Sequence, residues 1–437
     1  MDHLHFAQSF REAAPYIQYL RGKTIVIGIA SSLLDNTTLN EMAADFNLIA
    51  ALGVRLVLVH GCSTQINALC EEHKHQISFH QHRRITDLTV LHYAKQVCGQ
   101  IQFDLQAALS LGYSHAPQKP PRLRTVTGNY LTAKPLGVLD GMDMQYTGMV
   151  RKVDTQAIVQ SLDTQAIVIV SPISASPIGQ SYNLAMPDTA RAVAIALQAE
   201  KLIFLTEDSG ILDVQKQLIS NLTTKEAEQL LTQELPLLHQ HALLFNAIEA
   251  LNQGISRVHI LSGSENGSLI KELFTRQGAG TSIAQHSFVQ IRPARERDIA
   301  DIIALIRPLE SRGVLVRRSK TYLENHIHEF SLLEHDNQIY GCVALKTFAD
   351  AKDSAELACL VVSDSIRDAG YGDRLLTHVI NEARKQNKTK LFALSTQTAD
   401  WFLEHGFQAA QLNDLPSSRQ QEYHQSARQS KIFILPL

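Results

Sequence analysis

The chain has 437 residues, about 45% of them hydrophobic and 19% charged, which suits two or three globular domains and excludes disorder throughout. The net charge of −3 gives no basic excess for binding nucleic acid. Five cysteines without C-x-x-C spacing argue against a disulfide framework or a zinc site, and no apolar run has the length of a membrane span, so we expect a soluble cytoplasmic protein.

The N-terminal part alternates short apolar strands with helices. An amphipathic helix is predicted from Phe6 to Leu20, ahead of the buried strand Thr24–Ala30. Strands that are apolar on both faces and separated by helices predict an α/β unit, a mostly parallel sheet with helices on both faces. The further predicted strands are Arg55–His60, Ala166–Val170, Leu202–Thr206 and Arg257–Ser262, and the further helices are Asn40–Leu52, Asp188–Ala199 and Gly267–Thr275.

The Gly-rich segment Gln277–Ser287 is the best candidate for a linker between domains. The strand Val289–Arg292 and the helix Ala294–Pro308 follow it and open a compact α+β unit. We therefore predict domains at 1–282 and 288–437, joined by a linker at 283–287. The later predicted elements are Gln338–Phe348, Ala355–Val362, Gly372–Gln386, Lys390–Ser395, Trp401–His405 and Lys431–Leu435.

A strand-to-helix turn in the second unit carries the most informative motif. The buried strand Ala355–Val362 precedes the turn Arg367–Gly372, which reads R-D-A-G-Y-G. Glycines in such a turn let backbone N–H groups face outward at a positive helix end, which suits a pyrophosphate, although a plain tight turn has the same sequence features. The R-x-x-G-x-G spacing and the W-F-x-x-x-G-F segment Trp401–Phe407 resemble the GNAT acetyltransferase family.

Two side chains near this turn are candidates for acid–base chemistry. Glu356 opens an otherwise apolar strand, where a carboxylate is costly without a partner or a task. An amine is protonated at neutral pH, so Glu356 is predicted as the general base, with an exposed strand-end Glu as the alternative. Ser395 closes its strand and is predicted to protonate the leaving thiolate, with a capping role as the alternative. Arginines at 317, 318, 419 and 428 are either cations for a dicarboxylate or solvated surface residues.

The GNAT resemblance implies how acetyl-CoA is bound. The turn Arg367–Gly372 would hold the pyrophosphate, and the strand Leu357–Val362 would splay from its neighbour. Free N–H groups around Leu360 would then polarise the thioester carbonyl. The residues implied to bind acetyl-CoA are Cys359, Leu360, Val361, Val362, Arg367, Asp368, Gly370, Tyr371 and Gly372.

The first 282 residues resemble the amino acid kinase family, particularly N-acetylglutamate kinase. The resemblance, from about residue 20, rests on Val59–Asn67, Arg84–Asp87, the Asp188-Thr-Ala segment, Leu205–Asp213 and Phe274–Thr281. Active kinases have a lysine and a Gly-Gly pair at the end of the first strand, where this chain reads V-I-G-I-A-S-S from Val26 to Ser32. They have Gly-Gly-Pro where this chain has Cys62-Ser63-Thr64. Because phosphoryl transfer depends on positioning and charge neutralisation, we predict a kinase-inactive domain.

Together the two domains resemble a family of bacterial amino-acid N-acetyltransferases that feeds arginine biosynthesis. The resemblance implies direct transfer of acetyl from acetyl-CoA to the α-amine of L-glutamate, feedback inhibition by L-arginine at the kinase-like domain, no metal, and a homo-oligomer, in that family a hexamer. It implies Glu356 as base and Ser395 as acid; Leu315, Arg317, Cys359, Arg419 and Arg428 as glutamate-binding; and Tyr16, Tyr19, Lys201, Glu272, Gly278 and Gly280 as arginine-binding.

Three alternatives remain open. The chain could phosphorylate N-acetylglutamate through its first domain, or act as a non-catalytic arginine sensor whose GNAT domain only binds CoA. It could also acetylate another amine, because the arginines favour an acidic acceptor without identifying it. Within the transferase hypothesis, Cys359 is either an acetyl-cysteine intermediate or a small buried apolar residue.

Overall fold

The computed structural model describes residues 3–111, 123–232, 238–275, 278–285, 289–335, 338–363, 370–397, 399–425 and 430–437. The chain divides into two compact units, Met1–His286 and Ser287–Leu437. Over the described ranges, no helix combines the length and apolar character needed to cross a membrane.

The first unit is built on an eight-stranded sheet. From one edge to the other the strand order is β14-β16-β15-β13-β1-β2-β10-β5, and all neighbours are parallel except β15 and β16. A smaller sheet has the order β12-β11-β6-β9, and β3–β4 and β7–β8 are hairpins. The strands are β1 Thr24–Ile29, β2 Arg55–His60, β3 Ser78–His80, β4 Arg83–Ile85, β5 Thr125–Thr127, β6 Leu131–Pro135, β7 Val138–Leu139, β8 Met142–Asp143, β9 Gly148–Val153, β10 Ile167–Val170, β11 Ile173–Ala175, β12 Ser181–Asn183, β13 Lys201–Thr206, β14 Asn221–Thr223, β15 Arg257–Ser262 and β16 Thr281–Ala284.

Helices cover both faces of the large sheet because its central strands are apolar on both sides. Alternate side chains of β1 enter two cores: Ile25 and Ile27 lie in one, and Val26 lies in the other. The helices are α1 His3–Leu20, α2 Asn36–Ala51, α3 Ser63–Glu72, α4 Leu88–Ser110, α5 Thr155–Asp163, α6 Met186–Ala196, α7 Thr224–Leu231, α8 Leu238–Asn252 and α9 Ser268–Phe274, with a 3-10 turn at Ser31–Leu33.

The second unit is a seven-stranded sheet flanked by helices. Its order is β17-β18-β19-β20-β21-β23-β22, and only the central pair β20–β21 is parallel. The strands are β17 Val289–Pro293, β18 Phe330–His335, β19 Gln338–Phe348, β20 Ala351–Val362, β21 Lys390–Ser395, β22 Gln408–Ala410 and β23 Lys431–Pro436; the helices are α10 Ile299–Ser311, α11 Lys320–His326, α12 Tyr371–Lys385, α13 Ala399–Glu404 and α14 Ser417–Gln425; 3-10 turns lie at Glu296–Asp298, Ile327–Glu329 and Leu412–Asp414.

The predicted fold class is confirmed: the first unit is a mostly parallel α/β sheet and the second an α+β sheet. Boundaries differ in places. The strand that carries Glu356 begins at Ala351, so Glu356 lies within it and does not open it. The predicted linker begins at Ile283, but Ile283 and Ala284 are buried in β16, because their apolar side chains complete the sheet.

Two helices also differ from the sequence-based expectation. The helix predicted to begin at Ala294 begins at Ile299, after the 3-10 turn that Asp298 closes. Arg419 lies in α14, a helix that is not among the elements predicted from the sequence. That helix has almost no apolar periodicity, so the sequence gives little sign of it.

Candidate active site

The centre of the second unit contains a buried ion pair. Glu356 lies within β20 with 5% of its surface exposed. Both of its oxygens accept hydrogen bonds from Arg419 in α14, at 2.8 Å from Nε and 3.0 Å from Nη2. Burial opposes the charge of Arg419, but the hydrogen bonds and charge of Glu356, together with Glu422, raise the pKa of Arg419 above its ordinary value. The pair therefore places a carboxylate and a guanidinium side by side in the interior of the unit.

A second ion pair extends this arrangement. Lys346 lies opposite Glu356 in the β19–β20 register. Its Nζ is 3.0 Å from both oxygens of Glu422, and Glu422 lies 3.5 Å from Nη1 of Arg419. Sequence analysis did not identify Lys346 or Glu422. A lone lysine in an apolar strand, opposite a lone glutamate, is the only sequence signal for Lys346.

The strand that carries Glu356 separates from its parallel neighbour. The β20–β21 pairing ends at Leu357 opposite Ala393, although β20 continues to Val362. On the other side a β-bulge falls between the pairs Cys342–Val361 and Ala344–Ala358. Beyond Leu357, the N–H groups of β20 on the β21 side therefore have no cross-strand acceptor in that strand, which is the geometry needed to bind an extended ligand.

Cys359 occupies the bulge in an uncommon backbone conformation. Its φ is +51°, in the left-handed region that favours glycine. It is 5% exposed and its carbonyl accepts from the Cys342 thiol at 3.6 Å. The bulge reorients the backbone between Glu356 and Leu360.

The Gly-rich turn ends in the N-terminus of α12. Gly370 is the cap residue with φ +68°, and Tyr371 begins a 15-residue helix. Gly372 lies against Trp401, since a Cβ there would be 3.6 Å from its ring. The predicted residues Arg367 and Asp368 lie outside the described residues.

The remaining predicted residues of this site lie at the end of β21 and in the segment between α10 and α11, apart from one outside the described residues. Ser395 ends β21 with its Oγ 3.3 Å from the Gln397 N–H, which donates to it. Leu315 is half-buried against the core around α10, whereas Arg317 is exposed. Arg318 is less exposed, and although burial disfavours its charge, neighbours that include Cys359 and Glu356 raise its pKa. Arg428 lies outside the described residues.

The first unit contains a separate cluster of charges at the start of its central strands. Lys201 Nζ lies 3.1 Å from Nε2 of His259, whose Nδ1 is 2.6 Å from Glu272. Burial and the neighbouring Arg257 lower the pKa of Lys201 to about 8, and burial and Lys201 lower the pKa of His259 to about 4. Burial alone would raise the pKa of Glu272. The combined effect of His259, the Ala279 N–H and Lys201 is larger and lowers this pKa below its ordinary value.

The helix α1 and the turn before β16 border this cluster. The Tyr19 hydroxyl donates to Glu200, which neighbours Lys201, while Tyr16 packs on the core beside α9. Glu272 accepts from the Ala279 N–H between two glycines. Gly278 has φ +65° and a Cβ there would lie 2.7 Å from Glu272.

Gly280 completes that turn. It has φ +73°, and a Cβ would meet the Ile260 carbonyl at 2.3 Å, so only glycine fits. The predicted residues Tyr19, Lys201 and Glu272 thus belong to one network. Sequence analysis missed its central member, His259, because a histidine in an apolar strand has no local signature.

The described part of the chain contains no group of three or more His, Cys, Asp or Glu side chains that could hold a metal ion.

Comparison with known proteins agrees with both folds. Residues 23–262 match the amino acid kinase family and residues 299–407 the acetyltransferase (GNAT) family. The chain is 46% identical to the amino-acid acetyltransferase of Neisseria meningitidis serogroup A, covering 98% of each chain. It is 40% identical to the amino-acid acetyltransferase of Pasteurella multocida, covering 98% of this chain and 97% of that protein.

A solved structure also matches over nearly the whole length. The N-acetylglutamate synthase of Neisseria gonorrhoeae, complexed with coenzyme A and L-arginine, is 45% identical over 99% of both chains, with a TM-score of 0.89. The same enzyme complexed with coenzyme A and N-acetyl-glutamate matches at 46% identity with a TM-score of 0.64.

The chain is therefore an acetyltransferase of the GNAT class joined to an amino acid kinase-like unit. It belongs to the amino-acid acetyltransferase family, and both predicted resemblances are confirmed.

Proposed function

We propose that the chain transfers acetyl from acetyl-CoA to the α-amine of L-glutamate and releases N-acetyl-L-glutamate and CoA. The observation that carries the proposal is the buried Glu356, paired with Arg419 and three residues from the bulged end of a strand that separates from its neighbour. The relatives are amino-acid acetyltransferases, and the gonococcal enzyme is complexed with coenzyme A and with N-acetyl-glutamate.

The reaction begins with Glu356 taking a proton from the ammonium group of the acceptor, because only the neutral amine is nucleophilic. The amine attacks the thioester carbonyl directly, and N–H groups around Leu360 stabilise the negative charge that develops on its oxygen. The tetrahedral intermediate then collapses with cleavage of the C–S bond, and Ser395 donates a proton to the departing thiolate, directly or through water. The proton that the attacking nitrogen loses as it becomes the amide nitrogen restores the Ser395 hydroxyl. Cys359 serves as the backbone bulge and forms no acetyl-cysteine.

We assign acetyl-CoA and glutamate to different ends of the site. The pantetheine of acetyl-CoA lies along the edge of β20 at Val361 and Val362. The pyrophosphate binds at the N-terminus of α12, to Gly370, Tyr371 and Gly372 together with Arg367 and Asp368. Arg317, Arg419 and Arg428 bind the carboxylates of glutamate, beside Leu315 and the Cys359 backbone.

The kinase-like unit binds L-arginine as a feedback inhibitor. An arginine guanidinium matches the ionised Glu272, which is held between His259 and the Ala279 N–H. Tyr16, Tyr19, Lys201, Gly278 and Gly280 complete that site. Inhibition requires that L-arginine bind two states of the protein with different affinity. We further propose a cytoplasmic homo-oligomer, a hexamer on the family resemblance; light scattering that gave a monomer would contradict this.

Release of CoA thiol on mixing the protein with acetyl-CoA and L-glutamate tests the proposal, with mass spectrometry to identify the product. We expect N-acetyl-L-glutamate, and slower turnover with L-arginine present. Turnover with aspartate or another amine but not with glutamate would identify a different acceptor. An ATP-dependent phosphorylation of N-acetyl-glutamate would instead support the kinase alternative, and binding of CoA and arginine without turnover the sensor.

A further inference from the structure

The candidate base, Glu356, is hydrogen-bonded through both of its oxygens to another residue of the same chain. Arg419 donates to both oxygens of Glu356, and the side chains of the two residues are only 14% and 7% exposed. A general base must contact the proton that it removes, so the amine and the guanidinium compete for the same carboxylate. In this arrangement Glu356 is masked.

A second carboxylate, that of Glu422, lies close to the guanidinium of Arg419. Nη1 lies 3.5 Å from Glu422, which is half exposed and bound through both oxygens by Lys346. A guanidinium that left Glu356 with no other anion nearby would be an unpaired buried charge, which is strongly unfavourable. Because Glu422 can pair with the released guanidinium, Arg419 does not become an unpaired charge when it leaves Glu356.

The other charges around Glu356 make its release feasible. Lys346 faces it from β19, while on β21 its register partner is the apolar Phe392. In the segments before β18, the cation of Arg318 and the side chains of Tyr322 and Glu329 are close enough to Glu356 to interact electrostatically with it. Lys346 and Arg318 are cationic, so the Glu356 carboxylate still has positively charged neighbours after it is released from Arg419.

The shape of an α-amino acid supplies a competitor for Arg419. Its carboxylate carbon is about 2.5 Å from the amine nitrogen, because only the α-carbon separates them. An amine that approaches Glu356 therefore brings the α-carboxylate to the guanidinium that is bound there. A carboxylate pairs with a guanidinium through two parallel hydrogen bonds, as Glu356 itself does.

We propose that Arg419 is a latch on Glu356, and that the α-carboxylate of the acceptor opens it by taking over the guanidinium. Arg419 is then a specificity-determining residue: an amine without a neighbouring carboxylate leaves the base masked. This inference rests on the proposed role of Glu356 as base.

Three acceptors separate this role from simple binding. 4-Aminobutyrate is glutamate without its α-carboxylate, and L-glutamine keeps the α-carboxylate but lacks the side-chain charge. In the wild-type protein we expect a kcat for 4-aminobutyrate far below that for L-glutamate. In Arg419→Gln, kcat for 4-aminobutyrate should rise on the order of tenfold while kcat/KM for L-glutamate falls by a similar factor, the range for one charged hydrogen-bonded contact.

L-Glutamine as acceptor and a matched control variant test whether the effect depends on the α-carboxylate and on Arg419. The preference for L-glutamate over L-glutamine should survive in Arg419→Gln, because the side-chain carboxylate does not open the latch. Arg384→Gln, at an exposed position in the last turn of α12, should leave all three acceptors unchanged. Equal slowing of all three acceptors in Arg419→Gln, or a gain with glutamine in place of 4-aminobutyrate, overturns the proposal.

A test on the wild-type protein does not depend on the folding of a variant. Formate supplies the missing carboxylate in trans, so saturating formate should speed acetylation of 4-aminobutyrate on the order of tenfold, as for one charged contact. Chloride at equal ionic strength should not. No acceleration by formate overturns the latch. Full activity of Glu356→Gln overturns the base assignment itself, whereas an inactive Glu356→Gln without the formate effect removes only the latch.

Discussion

Glu356 and Arg419 lie 63 positions apart in the chain and share two hydrogen bonds in the interior of the second unit. One residue is on the central strand and the other on a short helix before the last strand. The pairing explains how a carboxylate side chain is accommodated in an apolar strand. It also joins two residues that sequence analysis assigned to different roles.

The first prediction concerns Glu356. Glu356→Gln should fold and bind acetyl-CoA, because glutamine has the same shape and can still accept from Arg419. Its kcat at neutral pH should fall on the order of 10²-fold or more, the usual contribution of a general base. Steady-state thiol release gives kcat, and calorimetry with acetyl-CoA gives the binding control.

The bulge at Cys359 gives a pair of variants with opposite outcomes. Cys359→Gly should keep most of its turnover, because glycine adopts φ +51° without strain and the proposed direct attack needs no acetyl-cysteine. Cys359→Val should be inactive or unfolded, because a β-branched residue does not tolerate that conformation. Loss of turnover in a folded Cys359→Gly protein would support a covalent intermediate.

Fold class, domain order and the site motifs could be predicted from the sequence because they depend on local patterns. Strand hydrophobicity, the R-x-x-G-x-G turn and the lone Glu356 in an apolar strand are visible within about 20 residues. Lys346, Glu422 and His259 could not be found in this way. Their importance comes from partners brought near by strand register and helix packing, which no local window contains.

The cluster around Glu272 gives a prediction for regulation. Glu272→Gln removes the carboxylate proposed to bind the guanidinium of L-arginine. The concentration of L-arginine that halves thiol release should rise on the order of tenfold or more, as for a lost charge-assisted hydrogen bond. Glu265→Gln, a carboxylate on the loop before α9, is the matched control and should leave that concentration unchanged.

His60 gives a prediction for stability against pH. It is fully buried, bound to the Ser171 hydroxyl and the Gly61 carbonyl, and burial lowers its pKa to about 4. The unfolded chain takes up the proton near pH 6.5 and the folded chain only near pH 4, so His60 makes stability fall as pH drops through that window, by up to about 1.4 kcal/mol per unit. Urea unfolding of His60→Gln should show a shallower decline between pH 6.5 and 4, and His92→Gln, at an exposed position, should not.

Two glycines with similar φ should respond differently to alanine. Gly370→Ala adds a Cβ that meets no atom of the described residues within 4 Å, at φ +68°, so only left-handed strain of about 1 kcal/mol is expected. Gly280→Ala adds the same strain and forces a Cβ to 2.3 Å from the Ile260 carbonyl. The free energy of unfolding should therefore fall more in Gly280→Ala; equal losses would show that the turn before β16 relaxes freely.

The most direct test of the central claim is thiol release from acetyl-CoA with L-glutamate, measured side by side for the wild-type protein and Glu356→Gln. The account predicts N-acetyl-L-glutamate from the wild type and a loss of turnover on the order of 10²-fold in a variant that still binds acetyl-CoA. Equal turnover by the two proteins would contradict it, because the buried carboxylate of the second unit would then have no part in the chemistry.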